Sequence, residues 1–161
     1  MKKFYLLLVV WCISIKILSQ TTATDFTAND CDGNTHHLFS ELNSGKVVVI
    51  AWVMPCPPCA THAINAHSSV LNFETSHPNR VRYYLVDDFA NTNCSALSSW
   101  ANTNGLGSTT MFSDAAISMT DYGQIGMPKV VVAGGANHKI YFNKNSSTQG
   151  IDAAIIQALQ A

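Results

Sequence analysis

The chain has 161 residues, of which 47% are hydrophobic and only 12% charged, with a formal net charge of −1. That length suits one domain, and the apolar fraction is enough to bury a real core. No basic patch or run of like charge occurs, which argues against nucleic acid and anionic membrane surfaces as partners.

The first residues read as a secretory signal peptide, residues 1–20. A basic start (Met1-Lys2-Lys3) leads into a mostly apolar run from Phe4 to Leu18, then into Ser19-Gln20-Thr21-Thr22-Ala23. Cleavage after Gln20 or after Ala23 fits equally well. The run is short and Lys16 interrupts it, so it makes a poor membrane span. The expectation is an exported protein, periplasmic or otherwise extracytoplasmic, with no stable membrane insertion of the mature chain. Cys12 follows Trp11, where a lipidation site wants a small residue, so Cys12 belongs to the discarded segment. Lys2, Lys3 and Lys16 take away three of nine basic residues, leaving six against ten acidic ones, a net charge of −4. Cys31, Cys56, Cys59 and Cys94 remain. An even number in an exported chain is consistent with disulfides, with three pairings open.

From Thr24 onward the chain reads as one domain, residues 24–161. Asp25 to His37 has short extended pieces either side of Asp32-Gly33-Asn34, a strong hairpin turn. Leu38 to Leu42 suits one helical turn, which Ser44-Gly45 ends. Val47 to Ile50 is an uncharged β-branched run, the pattern of a strand buried on both faces. It leads directly to Cys56-Pro57-Pro58-Cys59, after which Ala60, Ala63, Ile64, His67, Val70 and Leu71 recur at helical spacing. The two prolines suit the first turn of a helix, since proline lacks the N–H left unpaired there. Cys56 then sits at the positive end of the helix dipole, which favours a thiolate. Cys59, one turn on, can reach back to close a small disulfide.

Further along, Val81 to Val86 is a strand with Asp87-Asp88 at its end. Asn91 or Asn93 caps a helix carrying Cys94, Leu97 and Ala101. Thr109 to Phe112 is a short strand and Ala115 to Tyr122 a weak helix. Gly126-Met127-Pro128 precedes a third buried strand, Lys129 to Val132. A glycine turn and the strand Lys139 to Phe142 follow, then a closing helix with Ile151, Ile155 and Leu159 on one side. The order strand–helix–strand, hairpin, helix points to an α/β sandwich.

These elements and motifs together resemble the thioredoxin superfamily, in its TlpA/ResA-like exported branch, over roughly Asp25 to Ala161. The resemblance rests on three pieces. They are Gly45-Lys46 with the strand ending in Trp52 and Cys56-Pro57-Pro58-Cys59; Phe112-Ser113-Asp114 with Tyr122-Gly123 and Gly126-Met127-Pro128-Lys129-Val130-Val131; and Gly134-Gly135 before Lys139 to Phe142. It implies a thioredoxin-like fold, a central mixed sheet flanked by helices, with an N-terminal β-hairpin extension. It also implies a thiol–disulfide oxidoreductase acting on partner proteins without a cofactor, more often as a reductase recharged by a membrane electron donor. Cys56 would be the nucleophile and Cys59 the resolving thiol. Pro128 would be the family's cis-proline, which with Met127 contacts substrate. Three positions depart from the pattern. Pro55 stands where tryptophan is usual, Ile50 where thioredoxin has a buried acid, and Lys129 where threonine follows the cis-proline. Without that acid, deprotonation of Cys59 needs water or another base.

Each motif also has a plainer reading. A CxxC pair serves in zinc sites, but Cys31 and Cys94 supply no second CxxC. Cys56, Cys59 and His62 form a conceivable copper or zinc cluster, and a non-catalytic module with structural disulfides is a further alternative. Ala60 after the second cysteine excludes haem attachment of the usual kind, and no peroxidatic motif occurs. His67 shares the apolar face of its helix and reads as a partly buried core histidine, while His36 and His37 read as surface residues. Cys94 is either a third redox thiol or half of a structural bridge to Cys31, which the even count favours. Asn93-Cys94-Ser95 and Asn145-Ser146-Ser147 match the glycosylation triplet, a pattern common by chance.

Overall fold

The computed structural model describes residues 21–161; the expected signal peptide lies outside them. Strands β1 (Thr27–Asn29) and β2 (Thr35–His37) form the antiparallel hairpin, with Thr27 opposite His37. Asp30 organises its turn. Its carboxylate accepts the backbone N–H groups of Asp32 and Asn34 at 3.0 and 2.8 Å, and Gly33 takes a φ of +86°, open to glycine without strain. His36 departs from its surface reading. Its Nε2 lies 2.8 Å from Asp30 Oδ2 and its ring packs edge-on against Tyr84 and Phe112. Hydrogen bonds to Asp30 and Tyr84 make that partial burial tolerable.

Helix α1 (Leu38–Asn43) follows directly and buries Leu38 and Leu42. Strand β3 (Val47–Val53) is buried at every one of its seven residues. Each of its Val and Ile side chains contributes about 1.5–3 kcal/mol by leaving water. Then come α2 (Pro57–Asn72), β4 (Val81–Asp87), α3 (Cys94–Thr103), β5 (Thr110–Phe112), β6 (Lys129–Gly134), β7 (Lys139–Asn145) and α4 (Ile151–Leu159). Asn93 caps α3, its Oδ1 accepting from Ala96 N at 2.9 Å.

The main sheet has the order β5-β4-β3-β6-β7. Strand β3 runs parallel to β4 and antiparallel to β6, so the sheet is mixed and β3 is its centre. Alternation along β3 divides the core into two layers. Val47, Val49, Ala51 and Val53 pack with α2, α3 and α4, while Val48, Ile50 and Trp52 pack with α1, the hairpin and the segment around Ile117 to Tyr122.

The weak helix expected over Ala115 to Tyr122 is not formed. Only one 3₁₀ turn, Met119–Tyr122, is present. Asp114 Oδ1 takes the Ala116 N–H, and Ser118 adopts an extended conformation and caps Thr120. These short polar side chains satisfy the backbone locally, in competition with a helix. Ile117 and Met119 are both buried as a result.

Candidate active site

Parallel pairing sets the site at one sheet edge. Strands β3 and β4 end together, with Val53 level with Asp87 and the Asp88 N–H donating to Val53 O at 3.0 Å. The antiparallel register Trp52 to Lys129 brings the start of β6, and so Met127 and Pro128, to the same edge. The Met127–Pro128 peptide bond is cis.

The chain leaves β3 and enters α2 at Cys56, which is the N-cap residue, with Pro57 and Pro58 in the first turn. Both prolines fit because the first helical N–H groups have no internal acceptor. Cys56 is partly exposed, and Cys59 is 2% exposed. Both are free thiols, with their sulfurs 3.2 Å apart. Burial pushes the Cys59 thiol up to about 11, helped by its hydrogen bond with Cys56 and the negative charge of Asp88, against a backbone N–H from Met54. The outer sulfur is therefore accessible at a helix N-terminus, and the inner one is held as a buried thiol.

Ile50 is fully buried in the core layer opposite the one that holds Cys59. No carboxylate on β3 lies beneath the inner thiol. The smallest of the effects that raise the Cys59 thiol is the charge of Asp88, at the end of the neighbouring strand. Asp88 is 8% exposed, and burial, then the charge of Asp87, raises its carboxyl above the usual range. The sequence marked Asp87-Asp88 as a strand end but assigned it no role. The parallel β3–β4 pairing puts Asp88 level with the end of β3, from which the chain runs on to Cys56. A cleft of about 160 Å³ is lined by Asp88, Phe89, Asp114, Ile117 and Ser118.

A disulfide joins Cys31 to Cys94, with Cα atoms 5.4 Å apart. It ties the hairpin turn to the start of α3. Cys31 also donates its N–H to Met111 O at 2.8 Å, which covers part of the edge strand β5. His62 is not gathered with Cys56 and Cys59. Among the described residues no group of three His, Cys, Asp or Glu side chains is placed to hold a metal. His67 is partly buried against the Tyr83 ring, 5.0 Å between centroids, and burial lowers its basicity. Both glycosylation triplets have their asparagine engaged, Asn93 in capping α3 and Asn145 in bonds to Lys129 and Gln124.

No protein-family model and no curated protein sequence matches the chain. Solved structures do. A candidate protein disulfide isomerase from Bacteroides thetaiotaomicron superposes with a TM-score of 0.70 at 16% identity, covering 89% of this chain and 90% of that one. A candidate thiol:disulfide interchange protein DsbE from Chlorobium tepidum gives 0.67 at 17% identity, over 88% and 97%. A secreted Mycobacterium tuberculosis disulfide oxidoreductase homologous to E. coli DsbE gives 0.58 at 18%, over 82% and 95%. At such identities the likeness speaks to architecture. The mixed five-stranded sheet, its flanking helices and the N-terminal hairpin make this a thioredoxin-like fold.

Proposed function

We propose that the protein is an exported thiol–disulfide oxidoreductase that exchanges disulfides with partner proteins through Cys56 and Cys59. The observation that carries this reading is the pair of sulfurs 3.2 Å apart, one accessible at a helix N-terminus and the other buried beneath it. In the reductive direction Cys56, as thiolate, attacks one sulfur of a substrate disulfide. That S–S bond breaks, a Cys56–substrate disulfide forms, and the first substrate sulfur leaves as a thiolate that takes up a proton. Cys59 then loses its proton and attacks Cys56 Sγ, forming Cys56–Cys59 and releasing the second substrate thiol. Two electrons have passed to the substrate. A membrane dithiol donor outside the cytoplasm would restore the reduced pair. The cis Met127–Pro128 segment lies at the edge where substrate backbone would pass Cys56.

The test is the reduction potential of Cys56–Cys59, read by equilibrating the protein in graded thiol buffers, alkylating, and mapping each cysteine by mass spectrometry. A reversible transition near or below about −200 mV supports a reductase, and one near about −120 mV an oxidase. A pair that does not exchange sinks the reading and leaves a structural disulfide module.

A further inference from the structure

Lys129 is a buried cation in an unusual place. It follows the cis peptide directly, is 2% exposed, and directs Nζ at two neutral oxygens, Gln124 O at 3.1 Å and Asn145 Oδ1 at 3.2 Å. Burying an ammonium without a carboxylate is costly, and burial depresses its basicity. A methionine of similar length would fill the space without that cost. What the lysine adds is a tie across a loop.

Its two partners also bond to each other, Asn145 Nδ2 donating to Gln124 O at 3.3 Å. Neighbouring residues complete the clamp. Ser146 donates its hydroxyl to Met127 O at 3.0 Å and its N–H to Pro128 O at 2.7 Å, and Asn143 Nδ2 donates to Tyr122 O at 2.9 Å. Gly126 belongs to the same design, since a Cβ there would stand 2.3 Å from Asn145 Nδ2. The clamped loop leaves Ile125, two residues before Met127 of the cis peptide, at 52% exposure.

We propose that Lys129 is a positioning residue for polypeptide substrates, locking the Gln124–Met127 loop through Gln124 and Asn145 so that it meets an incoming chain preformed. This deepens, and rests on, the oxidoreductase reading above. A rigid loop lowers the ordering cost of binding an extended chain, and a small disulfide that touches only the sulfurs gains nothing from it. Lys129 therefore acts on affinity for a polypeptide rather than on thiol chemistry.

The experiment compares the wild type with Lys129→Met and Gly126→Ala on two substrates, insulin and the non-peptide 2-hydroxyethyl disulfide, with dithiothreitol as reductant. Gly126→Ala displaces Asn145 while leaving Lys129 in place, and thermal melts establish that each variant is folded. The expected result is a KM for insulin raised about tenfold in both variants, with kcat and the rate on 2-hydroxyethyl disulfide unchanged. An unchanged KM in folded variants overturns the proposal. So does an equal loss on both substrates, which would mean a general defect at Cys56. A wild type that exchanges with neither substrate overturns the oxidoreductase reading itself, and this inference with it.

Discussion

Cys56 Sγ lies 3.2 Å from Cys59 Sγ, yet the first thiol is partly exposed and the second is 2% exposed. The asymmetry follows from the helix. Position N-cap faces the sheet edge, and three residues on, the side chain turns inward over β3 and joins the α2-side core layer. With the Cys59 thiol pushed up to about 11, mainly by burial, it stays protonated at pH 7. Iodoacetamide at neutral pH should therefore modify Cys56 and leave Cys59 untouched, and Cys56→Ser should be inert to the reagent. Rapid labelling of Cys59 in Cys56→Ser would refute the buried-thiol geometry. Cys59→Ser should accumulate the mixed disulfide with substrate, visible as a mass adduct on Cys56.

Asp88 offers a second test because its carboxyl and the Cys59 thiol oppose one another. Its negative charge helps to raise Cys59, after burial and the Cys56 hydrogen bond. Asp88→Asn keeps an acceptor for the Phe89 N–H, which Asp88 Oδ1 takes at 3.0 Å, but removes the charge. The Cys59 thiol should then titrate at lower pH, read by thiolate absorbance in the Cys56→Ser background. Stability should move as well. A carboxyl raised by burial and by Asp87 binds its proton more tightly folded than unfolded. Its ionisation therefore costs stability, increasingly as pH rises from the unfolded value near about 4 through the folded one. Asp88→Asn should melt higher than wild type at pH 7, and the gain should disappear below about pH 4. A variant less stable at pH 7 would show that the charge is paired rather than tolerated.

Much of the fold is legible in the amino-acid sequence. The β-branched run at Val47 to Ile50 and the apolar spacing after Cys59 are strong periodic signals, and β3 and α2 lie where they predict. The segment Ala115 to Tyr122 misled because its apolar residues suggested a period that Asp114 and Ser118 break by bonding to nearby backbone. His36 misled for the opposite reason. A turn-flanking histidine looks solvated until Asp30, Tyr84 and Phe112 close around it. At the site, the CxxC was visible, but the action of Asp88 on Cys59 depends on which strand neighbours β3. The Lys129 clamp depends on register with β7, where Lys129 faces Asn145. Both are tertiary facts that a linear pattern does not encode.

The Cys31–Cys94 bridge closes a sequence separation of 63 residues between the hairpin turn and α3. The chain-entropy relation gives about 4 kcal/mol for a loop of that size. The double variant Cys31→Ala/Cys94→Ala should unfold at correspondingly lower urea. Cys56 and Cys59 come from α2 rather than from the bridge, so the variant should exchange with oxidised glutathione at the wild-type rate while folded. Loss of exchange at full stability would instead make Cys94 a redox thiol, the alternative that the sequence left open.

The two expected cleavage points, after Gln20 and after Ala23, differ in what they leave paired with β7. Ile140 N–H donates to Thr21 O at 2.9 Å and Ala23 N–H to His138 O at 2.8 Å, with Thr22 bridging antiparallel to Lys139. Residues 21–23 thus cover part of β7, the other exposed edge of the sheet, and Ala23 is 5% exposed. Cleavage after Ala23 would remove both bonds and uncover that edge, whereas cleavage after Gln20 keeps them. A chain begun at Thr24 should be less stable than one begun at Thr21 by about 1–3 kcal/mol, at roughly 0.5–1.5 kcal/mol for each hydrogen bond. Equal urea midpoints for the two chains would show that the edge contact adds nothing, and would leave the two cleavage points equivalent.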